Sequence, residues 1–122
     1  MTNNAGISRE KMANKMRNGV FNYKNAHVSK LYPACTLAAQ YVRQFIPDCK
    51  KVRYIGMESM GEELRSNGLE TIGGSKGDPK YDEEDTWFSY EDVANYPYDP
   101  EIKAVITGID LKVNYSKIVL AS

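Results

Sequence analysis

Apolar residues recur at helical spacing in the first third of the chain. Met12 and Met16 lie four residues apart, between Ser8, a typical N-cap, and Gly19, where helices commonly end. This pattern predicts a helix over about 9–18. The segment that follows is polar, which is typical of a connection.

A second helix is predicted between two prolines. Pro33 favours a helix start and Pro47 cannot continue a helix. The pattern predicts an amphipathic helix whose apolar side consists of Leu37, Ala38, Tyr41, Val42, Phe45 and Ile46.

The middle of the chain alternates between strand and helix signals. Residues 51–55 are short, alternating and β-branched, which predicts a strand that turns at Gly56. Residues 58–66 favour a helix, ended by an Asn-Gly pair, and residues 69–72 predict a second short strand. Because a helix joins the two strands, they are expected to form a parallel βαβ unit.

From residue 73 to residue 100 the composition becomes glycine-rich, acidic and aromatic. This segment is predicted to be an excursion from the sheet, partly packed by its aromatic residues. Residues 102–107 then give the clearest strand of the chain. Asn114 is predicted to cap a final helix that the end of the chain at Ser122 cuts short.

The charge balance does not favour a nucleic-acid partner. Residues 1–69 carry 11 basic and 5 acidic side chains, and residues 70–122 carry 5 and 11, so the halves have charges of +6 and −6. The basic residues are scattered, however, whereas nucleic-acid binders cluster them on one face. Lys50, Lys51 and Arg53 beside the first strand are therefore expected on a solvated surface.

Membrane, secretory and zinc functions are also disfavoured. The chain has no apolar run near the ~20 residues of a membrane span, and it does not begin as a signal sequence, so a cytoplasmic location is expected. Cys35 and Cys49 lack metal-binding spacing and are expected as buried thiols, and His27 alone cannot form a histidine metal site. No metal ligand is predicted.

Two segments are candidates for ligand binding. Thr2, Asn3 and Asn4 precede the first helix, where a hydroxyl and successive backbone N–H groups can cradle phosphate, although such termini are usually frayed. Asp110 follows the clearest strand, and ligands of parallel sheets bind at carboxyl ends of strands. An aspartate that only shapes the turn explains the pattern equally well.

In their order and spacing, these motifs resemble the haloacid dehalogenase-type phosphatases, in the branch with p-nitrophenylphosphatase, phosphoglycolate phosphatase and the pyridoxal phosphatase chronophin. The resemblance leaves out about 73–100 and rests on Thr2-Asn3-Asn4 with Ser8-Arg9, Leu37 to Val42, Val52 to Gly56, Gly61 to Leu64, Asn67-Gly68-Leu69, Ala104 to Asp110 and Tyr115-Ser116-Lys117.

The resemblance implies an α/β fold in two parts. Residues 1–32 would be a remnant of a Rossmann-like phosphatase core, with the second motif and the helix after it. Residues 33–122 would be an α/β cap domain with a small parallel βαβ sheet, truncated at its end.

The resemblance further implies a Mg²⁺-dependent phosphomonoester hydrolase that works through an aspartyl-phosphate. Thr2, Asn3 and Asn4 would bind the phosphoryl group of a small phosphorylated metabolite. Ile109, Asp110 and Leu111 would form the loop that determines substrate specificity. The attacking aspartate and the metal ligands belong to motifs outside these 122 residues. We therefore expect no catalytic residue in this chain, no Mg²⁺ bound to the chain alone, and no activity of the chain alone.

Two other functions stay open at this point. The chain could be a non-catalytic α/β module that binds a partner or forms a homodimer through its cap. A sugar-phosphate binder that retains only Thr2 and Asp110 is a further alternative.

Overall fold

A computed structural model describes residues 6–74 and 89–122. The elements in order are α1 (Arg9–Asn18), a short 3₁₀ helix (Val28–Lys30), α2 (Ala34–Phe45), β1 (Lys51–Ile55), α3 (Glu58–Ser66), β2 (Glu70–Gly73), α4 (Tyr90–Ala94), β3 (Ile102–Thr107) and α5 (Tyr115–Val119). The predicted α/β class is confirmed.

The three strands form one parallel sheet in the order β2-β1-β3. The β1–α3–β2 segment is therefore the βαβ unit that the sequence predicts. Lys51 pairs with Ile102 and Val52 pairs with Ala104, so a bulge in β3 shifts the register by one residue. The central position of β1 explains why Val52, Arg53 and Tyr54 are all buried.

One face of this sheet carries the hydrophobic core. Val52 and Tyr54 alternate along β1 toward α2 and α3, and Ile106 of β3 joins them. The buried side chains of α2 are small, which allows this helix to pack closely on the sheet. The buried core residues are Cys35, Ala39, Val42, Cys49, Val52, Tyr54, Met60, Leu64, Leu69 and Ile106.

The apolar side predicted for α2 is wrong at two positions. The side chains of Tyr41 and Phe45 are 59% and 61% exposed, and their rings contact each other with centroids 4.6 Å apart. The side that packs on the sheet contains Val42, as predicted, together with Cys35 and Ala39, which the prediction left out. The smaller side chains occupy the interface because a helix lying close against a sheet leaves little volume there.

The expected solvated surface beside β1 is wrong for Arg53. Arg53 is only 5% exposed, whereas Lys50 is exposed as expected. Arg53 alternates with Val52 and Tyr54, so it lies on the face of the sheet opposite the core. This face is covered by the segment around Tyr96, whose hydroxyl accepts a hydrogen bond from Arg53.

The helix predicted over 9–18 is confirmed as α1, with Ser8 at the N-cap accepting from the Lys11 amide. Met12 and Ala13 are buried but lie outside the main core cluster, all of whose residues fall between Cys35 and Ile106. The proposed division at residues 32 and 33 stays a prediction.

Two further helices flank β3. The sequence analysis did not predict α4, although Ser89 and Asp92 form a reciprocal capping box at its start. Asn114 caps α5 as predicted, and this helix ends at Val119. Within residues 6–74 and 89–122, no helix combines the length and apolar character that crossing a membrane requires.

Candidate functional site

The predicted phosphate cradle adjoins the start of α1. Thr2, Asn3 and Asn4 themselves lie outside the described residues. The described part of this region begins at Gly6, and Ser8 and Arg9 lead into the helix. A cavity of about 410 Å³ lies beside the helix start and is lined by Ser8, Arg9, Glu10, Val28, Glu62, Glu63 and Ser66.

A buried carboxylate holds this region together. Glu63 of α3 is 6% exposed, and its Oε1 accepts a hydrogen bond of 2.7 Å from the fully buried hydroxyl of Thr36. The same oxygen accepts from Asn67 Nδ2 at 3.3 Å and pairs with Arg9 Nη1 at 3.4 Å. Arg9 also donates from Nη2 to the Val28 carbonyl at 2.9 Å. The network therefore ties α1 and the 3₁₀ helix to α2 and α3.

Sequence reasoning did not assign a role to Arg9, Thr36 or Glu63. One local signal was available, because Glu63 lies three residues after Met60 and directly before Leu64, on the apolar side of α3. A carboxylate on the buried side of a helix needs partners, and the chain supplies them from distant positions.

The thiol of Cys35 lies next to this network and is not arranged as a nucleophile. Burial raises the pKa of Cys35, and the negative charge of Glu63 raises it further. The thiol is therefore protonated at neutral pH, whereas only the thiolate form attacks electrophiles. Both cysteines are free and buried, as the sequence predicts.

The predicted specificity loop lies at the carboxyl end of β3. Backbone hydrogen bonds from Gly108 N–H to the Ile55 carbonyl, at 2.8 Å, and from Met57 N–H to the Ile109 carbonyl, at 3.0 Å, fix this loop against β1 and the start of α3. The side chains of Ile109 and Leu111 are 59% and 82% exposed. Two apolar side chains are thus presented outward by a backbone that is held in place.

Asp110 lies inside this loop and is engaged by the protein on both oxygens. Oδ1 accepts from the Lys112 N–H at 2.8 Å, which makes an Asx turn, and Oδ2 pairs with Lys117 Nζ of α5 at 3.0 Å. The side chain of Asp110 is 5% exposed. The turn-shaping role that the sequence left open is therefore present in the structure.

A second cavity, of about 460 Å³, opens next to the loop. It is lined by Ala34, Cys35 and Ala38 of α2, Met60 of α3, and residues 106–109. Its walls are mainly apolar, with Ile109 at the junction of cavity and loop. Ligands with apolar parts fit such a surface better than highly charged ones.

The part of the chain that the structure describes contains no cluster of candidate metal ligands. Within residues 6–74 and 89–122, no group of three or more histidine, cysteine, aspartate or glutamate side chains is placed to hold a metal ion. Asp110, the carboxylate in the predicted specificity loop, is paired with Lys117.

The amino-acid sequence of the chain was compared with those of known proteins. No family model matches the chain. It is 32% identical over 124 residues to the 4-nitrophenylphosphatase of Schizosaccharomyces pombe, covering 99% of this chain and 39% of that protein. It is 31% identical over 120 residues to phosphoglycolate phosphatase 2 of Arabidopsis thaliana, covering 97% of this chain and 37% of that protein.

The chain is similar in sequence to part of each of these phosphatases. Both names fall in the branch that the sequence motifs indicated, which supports a relationship to haloacid dehalogenase-type phosphatases. The chain spans less than two fifths of the length of either relative. The similarity extends over nearly all of the chain, so it includes both the region around α1 and the parallel sheet.

Proposed function

We propose that this chain is part of a magnesium-dependent phosphomonoester phosphatase of the haloacid dehalogenase type. Its substrate would be a small phosphorylated metabolite or a compound like p-nitrophenyl phosphate. The observation that carries the proposal is the similarity to two phosphatases over 97–99% of the chain. A parallel sheet with an exposed loop at the carboxyl end of β3 supports it, because α/β proteins bind ligands there.

The roles of the candidate residues follow from their chemistry. The Thr2 hydroxyl would donate to a phosphoryl oxygen, and Asn3 and Asn4 would complete the cradle. Ile109 and Leu111 would contact the leaving group through their exposed side chains. Asp110 would act mainly by fixing the loop, because Lys112 and Lys117 already engage both of its oxygens.

The remaining chemistry would come from outside these residues. In the proposed reaction an aspartate attacks phosphorus, the alcohol leaves, and water then hydrolyses the aspartyl-phosphate. Neither this aspartate nor Mg²⁺ is assigned to a residue of this chain. Residues 1–32 would belong to the catalytic core and residues 33–122 to a cap over it, in a protein of the cytoplasm.

The test begins with the reading frame of the transcript. The proposal expects an in-frame Asp-x-Asp-Gly sequence before Met1, and Gly-Asp and lysine motifs after Ser122. The protein made from that frame should hydrolyse p-nitrophenyl phosphate only with Mg²⁺, and the 122-residue chain alone should not. A complete frame that yields a folded protein without phosphatase activity on a panel of phosphomonoesters would contradict the proposal.

Matched variants separate the candidate roles. Thr2→Val should lower kcat/KM by about tenfold or more, because the phosphoryl group loses a hydrogen bond that strengthens in the transition state, whereas Thr2→Ser should keep most activity. Leu111→Ala should change the ratio of kcat/KM values between two leaving groups. Equal effects of Thr2→Val and Thr2→Ser would remove the assigned role of the hydroxyl.

A further inference from the structure

The ammonium group of Lys117 in α5 contacts the loop after β3 at two points. Its Nζ pairs with Asp110 Oδ2 at 3.0 Å and donates to the Lys112 carbonyl at 3.1 Å. The side chains of Lys117 and Asp110 are only 10% and 5% exposed. Asp110 Oδ1 also accepts from the Lys112 N–H at 2.8 Å. Lys112 is therefore bonded through both its N–H and its carbonyl, and this buried ion pair fastens residues 110–112 to α5.

Leu111 lies between the two fastened residues, and it is 82% exposed. On the other side of the loop, the Ile109 carbonyl accepts from the N–H of Met57, the N-cap of α3, at 3.0 Å. The backbone before and after Leu111 is thus bonded to two different helical segments. An apolar side chain is presented outward from a backbone whose position is fixed on both sides.

The turn alone does not explain the ion pair. An aspartate makes an Asx turn with one of its oxygens, as Asp110 does with the Lys112 N–H, and this turn requires no lysine. Removing two charges from water costs free energy, which a buried pair regains only with good geometry and further hydrogen bonds. What Lys117 adds is the position of the turn relative to α5, because it bonds to the second oxygen of Asp110 and to the Lys112 carbonyl.

We propose that Lys117 is a positioning residue for the 109–111 loop, whose ion pair with Asp110 holds Leu111 where it meets the apolar part of the leaving group. This inference rests on the proposed phosphatase function and adds to it a residue that determines selectivity. Contacts that act on a reacting substrate must be held within a fraction of an ångström, and a buried ion pair supplies such a restraint. Lys117 acts through Asp110 and Leu111 and is not itself a catalytic residue.

The test compares phenyl phosphate with glycerol phosphate as substrates of the protein made from the complete reading frame. The two share the phosphoryl group and differ in whether the leaving group is apolar. Lys117→Met keeps an unbranched side chain and removes the ammonium, so it should lower the ratio of kcat/KM values, phenyl over glycerol, by about fivefold or more. Asp110→Asn should act in the same direction, because its amide oxygen can accept from the Lys112 N–H while its NH₂ group cannot pair with an ammonium.

Lys112→Met is the matched control. It removes one positive charge from an exposed side chain of the same turn and keeps the backbone N–H and carbonyl that the loop uses. A change in the general attraction of the phosphoryl group affects both substrates alike and cancels in the ratio. Lys112→Met should therefore leave the ratio unchanged, and an effect equal to that of Lys117→Met would overturn the proposal.

A double variant shows whether Lys117 acts through Leu111. Leu111→Ala should lower the ratio at least as much as Lys117→Met, because it removes the contact itself. Adding Lys117→Met to Leu111→Ala should then change the ratio no further, since residues that act as a unit have non-additive effects. A ratio that falls by the product of the two single effects would overturn the proposal.

Amide hydrogen exchange in the 122-residue chain gives a readout that does not depend on activity. The Lys112 N–H, which Asp110 holds, should exchange faster in Lys117→Met, whereas the Gly108 N–H, bonded to the Ile55 carbonyl, should keep its rate. Faster exchange at both amides would indicate a general loosening of the fold and would overturn the positioning role. A complete protein without phosphatase activity overturns the proposed function and this inference with it. An active protein whose ratio is unchanged in Lys117→Met and Asp110→Asn overturns this inference alone.

Discussion

The hydroxyl of Thr36 offers a sharp test of the buried network that joins α1, α2 and α3. Thr36 is fully buried and donates to Glu63 Oε1 at 2.7 Å. Thr36→Val keeps the shape of the side chain and removes only the donor. The carboxylate of Glu63, which is 6% exposed, would keep Asn67 and Arg9 as partners at 3.3 and 3.4 Å, both longer than the lost bond.

The expected loss follows from these contacts. A hydrogen bond to a charged group contributes about 1.5–3 kcal/mol, and little cavity cost is added because valine fills nearly the same volume. We therefore expect the free energy of unfolding to fall by about 2 kcal/mol. For a chain of this length, about 4 °C of melting temperature corresponds to 1 kcal/mol, so the melting temperature should fall by about 8 °C.

Urea unfolding followed by circular dichroism measures this loss, and Thr71→Val is the matched control. The Thr71 hydroxyl accepts from Arg65 Nη1 at 2.9 Å at an exposed position, where the loss should stay within about 0.5 kcal/mol. A double-mutant cycle of Thr36→Val with Glu63→Leu should give a coupling energy of about 1–2 kcal/mol. Equal losses for the two threonine variants, or a coupling energy near zero, would refute the reasoning.

Three further predictions concern other parts of the core and the sheet. Gly61→Ala should destabilise the chain by about 1–3 kcal/mol in urea unfolding, because a Cβ there would overlap the buried Tyr54 hydroxyl, and Tyr54→Phe should recover part of the loss; no recovery would contradict this cause. A hydrogen bond from Lys51 lowers the pKa of Asp99 below its usual value, so the pair stabilises the fold above about pH 4 and loses that contribution as the pH falls through the lowered pKa. Melting temperatures from pH 7 to pH 2 should therefore fall less steeply in Asp99→Asn than in the parent chain, and parallel curves would argue against the linkage. Burial raises the pKa of Cys35, so iodoacetamide should leave this thiol unmodified in the native state and alkylate it in urea, as mass spectrometry would show; rapid native-state labelling would contradict the buried position.

The sequence predicted the elements whose signals are local. Pro33 and Pro47 bracket α2, and the alternation of residues 51–55 and 102–107 marks β1 and β3. The βαβ topology followed because a short helix between two strands has one common arrangement. These signals depend on neighbouring residues only, so a single sequence contains them.

The burial of some side chains depends on partners that lie far away along the chain. The sequence did not predict the burial of these side chains correctly. Tyr41 and Phe45 are apolar but exposed, because small residues occupy the tight interface between α2 and the sheet. Glu63 is charged but buried, because Arg9 and Thr36 reach it from 54 and 27 residues away. Hydropathy ranks residue types, whereas burial depends on the volume and partners that the fold provides at each position.

Arg53 and Asp110 show how the same limit affects the assignment of sites. In the sequence, Arg53 resembles an outward-facing residue of a half-exposed strand, and Asp110 resembles a ligand at the end of a strand. In the structure Asp110 is paired with Lys117 and shapes a turn, whereas Arg53 is buried and donates a hydrogen bond to the Tyr96 hydroxyl. A charged side chain whose partners are all within the protein needs no ligand to explain its burial. The positions of both side chains therefore follow from contacts that only the folded chain brings together, and neither position could be read from the residue type alone.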